Sequence, residues 1–418
     1  MRNDPTRHTG PTRREYVKYG GAVVGGGVLA GCFGDSESES TRTASETATA
    51  TPATSATNTP EDDSYTVSMS PVGEVTFERV PTSVLTYYPI SAGATVALGH
   101  GDSINAIGYD KLLFGDTVDY YYDSLDSVSF DWEGLGRVTP GDNPNVLDEE
   151  AFYELDSDVH FLDPALLRSG AFGWSERDVE RIASNVGPWF GNYYSRTNAQ
   201  PPEPYRDDYA YYDLWEYVGK IAAVFRERER FRAFESMHDD LLARSEADLP
   251  PESERPTVAI VADSNGTFWP YDFTHDGYLW AHVRPMGVRN AFETVEGGPS
   301  ADGSYDFEGL VEAQPDVMLR YWGTALGGTF IDGREAVLDH SLASEVPALR
   351  DERYYPSGHG MQGPIMNLFN LEMTAKQLYP DRFGEWPGFG DGNAYPDVPA
   401  DERLFDRERV TDIVTGEF

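Results

Sequence analysis

The chain has 418 residues, of which 39% are apolar, 13% aromatic and 25% charged. That is enough apolar material for sizeable cores, and the length suits two to three domains or one domain built from two lobes. Acidic residues outnumber basic ones 71 to 32, and a net charge of −39 with no basic run excludes a nucleic-acid partner.

Only four lysines (Lys18, Lys111, Lys220, Lys376) accompany 28 arginines. A large acidic excess with few lysines keeps a surface hydrated when salt screens ordinary repulsion, so the composition predicts a protein of a very salty environment. No D-x-[DN]-x-[DN]-G calcium loop offers another explanation. The single cysteine, Cys32, cannot form an internal disulfide.

The N-terminus reads T-R-R-E-Y-V-K (Thr12 to Lys18), then a short glycine-rich apolar run, then L-A-G-C ending at Cys32. A charged region, a brief apolar stretch and small residues before a cleavage point predict a secretory signal over 1–32. The apolar run is short for a membrane span, which needs about 20 residues. Arg13-Arg14 resembles a twin-arginine export signature, and L-A-G-C a lipobox in which Cys32 is lipidated. Loss of residues 1–31 removes five basic and two acidic residues, taking the charge from −39 to −42. In Phe33 to Ser64, 14 of 32 residues are Ser or Thr, which predicts a disordered tether over 33–64.

Beyond the tether, strand-like runs alternate with helical patterns, the order of α/β layers. V-L-T-Y-Y (Val84 to Tyr88), I-N-A-I-G (Ile104 to Gly108) and V-H-F-L-D-P (Val159 to Pro164) form one set. T-V-A-I-V-A-D (Thr257 to Asp263) and V-M-L-R-Y-W (Val317 to Trp322) begin a second. Between them, Tyr212 to Ala247 is almost free of Gly and Pro apart from Gly219, with Leu214, Val218, Ile221 and Phe225 at helical spacing. One helix over this stretch would span about 50 Å, the length of a strut between lobes. The predicted units are a lobe at 65–208, a connecting helix at 209–250 and a lobe with terminal helices at 251–418.

The two halves share a local pattern. Glu150 lies eight residues before Asp158, which opens the strand V-H-F-L, and Glu308 lies eight before Asp316, which opens V-M-L-R. This layout resembles the substrate-binding proteins of ABC importers for iron-siderophores, cobalamin and haem. In that family each lobe has a leucine–x–proline–aspartate step into a strand, matched here by Leu155 to Asp158, with Ser157 in place of proline, and by Ala313 to Asp316. G-R-V-T-P-G-D-N-P-N (Gly136 to Asn145) resembles the family's glycine-valine turn. The resemblance covers Val72 to Phe383. It implies two Rossmann-like α/β lobes joined by a single long helix, a ligand cleft between them, limited closure, and no enzymatic activity. It further implies an extracytoplasmic, lipid-anchored monomer that delivers a ferric siderophore, cobalamin or haem to an ABC permease and its ATPase. Glu150 and Glu308 are then the acidic residues that dock to the permease.

Aromatic residues cluster at predicted strand ends, where open α/β folds bind ligands. Tyr88, Trp174, Trp269, Tyr271, Arg320 and Trp322 are the candidate ligand contacts, since Tyr and Trp give apolar area with a polar tip and Arg pairs with anionic chelates. Arg137 and Arg284 lie near similar ends. About half of the clustered aromatics, which include Tyr87, Tyr120 to Tyr122 and Trp189-Phe190, are expected to be core. A zinc or manganese receptor is the alternative, with His100, His160, His275 and His359 as the histidines that would have to converge. An extracellular hydrolase is a further alternative, without a named nucleophile. G-H-G-M-Q-G (Gly358 to Gly363) fits G-x-G-x-x-G but follows no strand, and is predicted to be a flexible loop at the cleft edge.

Overall fold

A computed structural model describes residues 64–108, 115–141, 146–296, 298–326, 328–388 and 394–418. The export signal, the tether, Cys32 and the end of the Gly136 to Asn145 turn lie outside the described residues.

The first lobe contains β1 (Tyr65–Met69), β2 (Gly73–Phe77), β3 (Val84–Thr86), α1 (Pro89–Ala97), β4 (Ile104–Ile107), α2 (Gly115–Tyr122), β5 (Gly136–Arg137), α3 (Glu149–Leu155), β6 (Val159–Phe161), α4 (Pro164–Leu167) and α5 (Glu176–Asn185). Strands β1 and β2 form an antiparallel hairpin. The others form a parallel sheet in the order β5-β4-β3-β6. Strand order reverses at β3, so the crevice beyond the carboxyl ends of β3 and β6 is a topological switch point.

The second lobe contains β7 (Thr257–Ser264), β8 (Thr267–Pro270), β9 (Arg289–Asn290), α8 (Phe307–Ala313), β10 (Val317–Arg320), α9 (Gly323–Leu326), α10 (Gly328–Leu338), α11 (Pro347–Arg350) and β11 (Tyr354–Pro356). Its sheet runs β11-β10-β7-β8 with β9 also on β7, and only β8 is antiparallel. Val258 to Val261 are all fully buried. A parallel strand covered on both faces requires such an unbroken apolar run.

The αβ steps of the two lobes match closely. Helices α3 and α8 both end in a left-handed residue, Asp156 (φ 46°) and Gln314 (φ 44°). The aspartate two residues on then ties the new strand to the first strand of its own sheet, β3 or β7. Asp158 Oδ2 accepts from the Thr82 and Ser83 amides at 2.9 and 3.1 Å, and the Asp158 amide donates to the Ser83 carbonyl. Asp316 Oδ2 accepts from the Thr257 amide at 2.8 Å, and its own amide donates to the Thr257 carbonyl.

The connection between lobes includes the expected long helix, but not as one unbroken strut over 212–247. It is two helices, α6 (Leu214–Phe225) and α7 (Arg228–Asp248), and the 21 residues of α7 span about 31 Å. Arg226 takes φ 60° and ends α6. The helices then fold against each other, because Trp215 meets His238 at 4.7 Å and Phe231 covers Gly219. A Cβ at Gly219 would come to 3.2 Å from the Phe231 ring. Burying one apolar face against another outweighs continuation of a charged helix through Arg226-Glu227-Arg228.

After β11 the chain returns to the first lobe as α12 (Pro364–Leu378), α13 (Pro380–Phe383) and α14 (Arg407–Thr415). All 15 residues of α12 are buried. It packs on α1 and α2 of the first lobe and on α7. A Cβ on Gly363 would lie 2.7 Å from the Gly93 carbonyl carbon, so α1 and the start of α12 touch backbone to backbone. The G-H-G-M-Q-G loop belongs to this packing. Residues 357–363 are wholly buried rather than forming a flexible edge. A Cβ on Gly360 would strike Leu279 at 2.5 Å, and one on Gly358 would strike Asn370.

Candidate functional site

The site begins with Asp163, the residue that leaves the β6 end. Its carboxylate is buried and accepts from the Ala165 amide at 2.7 Å, the Tyr193 amide at 2.7 Å and the Tyr209 hydroxyl at 2.5 Å. Burial pushes its pKa up to about 6 against the pull of these donors. One side chain thereby fixes the start of α4 and the Tyr193–Arg196 turn at the switch point.

Tyr193 stacks on Tyr88, which follows β3, with centroids 5.2 Å apart and planes at 21°. The Arg196 guanidinium lies 4.2 Å over the Tyr193 ring. Arg196 forms no ion pair among the described residues, and its buried Nε has no hydrogen-bond partner. Burial works against its charge, but the phenols of Tyr193, Tyr321, Tyr88 and Tyr278 outweigh it and hold its pKa above the ordinary value.

Tyr321 and Tyr278 come from the other lobe. Tyr321, at the carboxyl end of β10, meets Tyr271 at 4.4 Å, Trp322 at 5.1 Å and Trp280 at 5.2 Å. Burial raises the pKa of Tyr271, and Arg320 and Arg196 lower it in part. Trp322 takes φ 59° and lies nearly parallel to His359, 6.0 Å away. A left-handed tryptophan is strained, and strain of this kind collects at ligand clamps. Gly277 closes the junction, since a Cβ there would meet the Arg196 carbonyl oxygen at 2.2 Å. Tyr88, Tyr193, Arg196, Tyr271 and Trp322 are all partly exposed. The result is an inter-lobe cage of phenols and indoles around Arg196, a cation without an ion pair among the described residues, suited to a large anionic ligand with apolar faces.

The candidate contacts therefore divide. Tyr88, Tyr271 and Trp322 come together at this cage. Trp269 is half-buried on β8 opposite Ala262, two residues before Tyr271. Trp174 is brought instead into first-lobe packing, 5.7 Å from Phe152 and 6.3 Å from Trp189. Arg320 is bound at Nε by Asp263, and its terminal nitrogens donate to the Tyr321 and Asp263 carbonyls. Arg284 likewise holds the Gly277 and Asp276 carbonyls. Arg196, which follows the Tyr193-Tyr194 pair and was not among the candidates, is the cation of this cage that has no ion pair among the described residues. Tyr87, Tyr120, Tyr121, Tyr122, Trp189 and Phe190 are core.

The four histidines occupy separate surroundings. His100 pairs with Glu227, His275 with Asp272, His160 packs on Trp189, and His359 faces Trp322. Among the described residues no group of three His, Cys, Asp or Glu side chains is placed to hold a metal ion. Glu150 and Glu308 are both exposed, each the second residue of its seven-residue helix, α3 or α8.

No family model matches the sequence, and no curated protein matches it. Solved structures do match. The petrobactin-binding protein YclQ from Bacillus subtilis has 13% identity and a TM-score of 0.54, covering 76% of this chain and 99% of that one. The iron uptake ABC transporter substrate-binding protein PiuA from Streptococcus pneumoniae has 17% identity and a TM-score of 0.52, covering 75% and 97%. Helicobacter pylori CeuE with Ni(II) bound has 15% identity and a TM-score of 0.50, covering 76% and 90%. Identities this low establish the fold alone. That fold is the two-lobed α/β fold of periplasmic substrate-binding proteins, with a helical connection between lobes.

Proposed function

We propose that this chain is the extracytoplasmic receptor of an ABC importer and that it captures a ferric siderophore between its lobes, with cobalamin or haem as the next choices. The observation that carries the reading is the unpaired Arg196 in its inter-lobe ring of tyrosines. An anionic ferric chelate presents both features the cage answers, negative charge and broad apolar faces. The fold shared with iron and siderophore receptors supports the same reading. A twin-arginine signal would export the receptor, and lipidation of Cys32 with the Ser/Thr-rich tether would hold it at the outer face of the membrane.

Tryptophan fluorescence in high salt tests the ligand, because Trp322 and Trp280 flank the cage. Saturable quenching by a ferric chelate, cobalamin or haem is expected. Binding of free zinc or manganese alone would overturn the reading.

Delivery to the permease is assigned to Glu150 and Glu308. Their equivalent exposed places in the two lobes support a two-point dock. High salt screens a simple ion pair, so the contact must be partly desolvated. Reversing both to Arg is expected to abolish ligand uptake by cells while the purified protein keeps its ligand affinity. Normal uptake would reject the assignment.

A further inference from the structure

The second lobe carries a different charged feature at the opposite end of its strands. A cavity of about 500 Å³ lies at the amino-terminal rim of the sheet, lined by Arg255, Arg289, Arg353 and Arg382. Arg255 stands two residues before β7, Arg289 opens β9, Arg353 directly precedes β11, and Arg382 lies on α13. The topology therefore brings to one place four cations that are far apart in sequence.

None of the four forms an ion pair among the described residues. At the chain's ratio of 71 acidic to 32 basic residues, four arginines would be accompanied by about nine carboxylates. The cavity lining has three, Glu254, Asp316 and Asp381. Asp316 is already committed to the Thr257 amide and hydroxyl at 2.8 and 2.9 Å. Asp351, whose carboxyl Arg353 helps to stabilise, is held by Arg350.

The arginines are anchored but not saturated. Arg255 donates Nε to the Pro250 carbonyl at 3.1 Å, and Arg289 donates one terminal nitrogen to the Arg255 carbonyl at 3.1 Å. Arg353 donates one terminal nitrogen to the Gln377 and Leu378 carbonyls at the end of α12. These bonds fix the stems of three guanidinium groups and leave several N–H donors on each for a ligand. Arg255 and Arg353 are half-buried, whereas Arg289 and Arg382 are exposed at the rim. In concentrated salt the Debye length falls to about 3 Å, so distant attraction is erased and only direct contact with such forks can hold an anion.

We propose that this cavity is an oxyanion site that takes a phosphate or sulfate group, separate from the inter-lobe cage. Its volume exceeds that of a bare tetrahedral ion and leaves room for the organic part of a monoester or a lipid headgroup. The inference does not depend on the receptor reading, because its readouts need neither the transported ligand nor the permease.

The test uses the full chain produced without its lipid, in high salt. Phosphate and sulfate are titrated by calorimetry against chloride at matched ionic strength, and the chain is sedimented with phosphatidic acid and phosphatidylcholine vesicles. Binding of phosphate or sulfate but not chloride is expected, weakened about tenfold or more in R289Q/R382Q, whose exposed side chains leave folding intact. Glu254→Gln, which removes a repelling carboxylate, is expected to tighten binding. Sedimentation with phosphatidic acid alone that R289Q/R382Q abolishes would assign the phosphate to a lipid headgroup, and binding of the free anions alone would assign it to a soluble ligand. No preference over chloride together with no vesicle binding, or binding indifferent to R289Q/R382Q, would overturn the site.

Discussion

The two lobes are alike where they are built and unlike where they meet a ligand. Helices α3 and α8 end in the same left-handed turn and hand the chain to an aspartate that clamps the first strand of its own sheet. At the cleft the first lobe supplies a cation without an ion pair among the described residues, and the second supplies aromatic rings with its arginine already held by Asp263. A repeated scaffold constrains the strand starts, where hydrogen bonding must be satisfied in each copy. The strand ends carry no such shared demand and are free to diverge.

Acid should expose this asymmetry most strongly. Burial lowers the pKa of His160 to about 3, of His282 to about 3 and of His359 to about 4. Each lies below its unfolded value of 6.5, so its contribution is complete above that pH and is lost as pH falls towards the folded pKa. Asp163 has the opposite sign. Its pKa is raised from 3.8 to about 6, so the folded state binds a proton first and gains stability as pH falls through 6. In the first lobe His160 and Asp163 largely cancel, but in the second His282 has no such offset, and His359, in the buried loop where that lobe's chain meets Tyr121 of the first, adds to it, at about 1.4 kcal/mol per pH unit each. Hydrogen exchange at pH 7 and pH 5 is expected to show the second lobe losing protection first. Asp163→Asn should steepen the acid loss of the first lobe alone, and equal loss in both lobes of the parent protein would break the comparison.

The next effect separates the two cleft arginines. Replacing Arg196 by Met removes the unpaired cation and is expected to weaken binding of an anionic chelate about a hundredfold with little change in stability. Replacing Arg320 by Met strands a carboxylate that is only 10% exposed, and should cost about 3 kcal/mol of stability while affinity changes little. Denaturant titration and fluorescence titration of both variants give the two readouts. Loss of affinity in the Arg320 variant alone would reverse the assignment of the site.

Much of this fold was legible in the sequence. Val258 to Val261 reads as a buried strand because both faces are covered, and the paired eight-residue spacing before Asp158 and Asp316 marks a real structural equivalence. The break at Arg226 was not legible. Its neighbours are good helix formers, and the turn is imposed by Trp215 and Gly219 packing on His238 and Phe231. Gly219 was the one local signal, a glycine kept where a ring passes close. Side-chain partners were equally hidden. Arg320, the last residue of β10, and Arg196, in the turn after Tyr193, both lie beside tyrosines, and only the fold decides that one meets Asp263 and the other meets phenols. The surroundings of Trp174 were hidden for a related reason, since a tryptophan after a short helix packs on its own lobe as readily as it faces a cleft.

The smallest effect tests the likeness itself. Asp158 and Asp316 do the same work with different numbers of bonds. Asp158 holds two backbone amides, the Thr82 hydroxyl and the exposed Arg79. Asp316 holds one amide and the hydroxyl of the same residue, Thr257. A surface ion pair such as Arg79–Asp158 adds little, so the difference comes down to the second amide. Each Asp→Ala change is expected to destabilise the protein by about 1–3 kcal/mol, with the first lobe at the higher end, since a strand start left with unpaired amides loses its anchor. The two changes lie in different lobes and share no partner, so their effects should add in the double variant. Chemical denaturation of the single and double variants measures this directly. Additivity with Asp158→Ala slightly the larger confirms two independent clamps of one design. A negligible effect of either single change would show that the likeness is one of backbone course only.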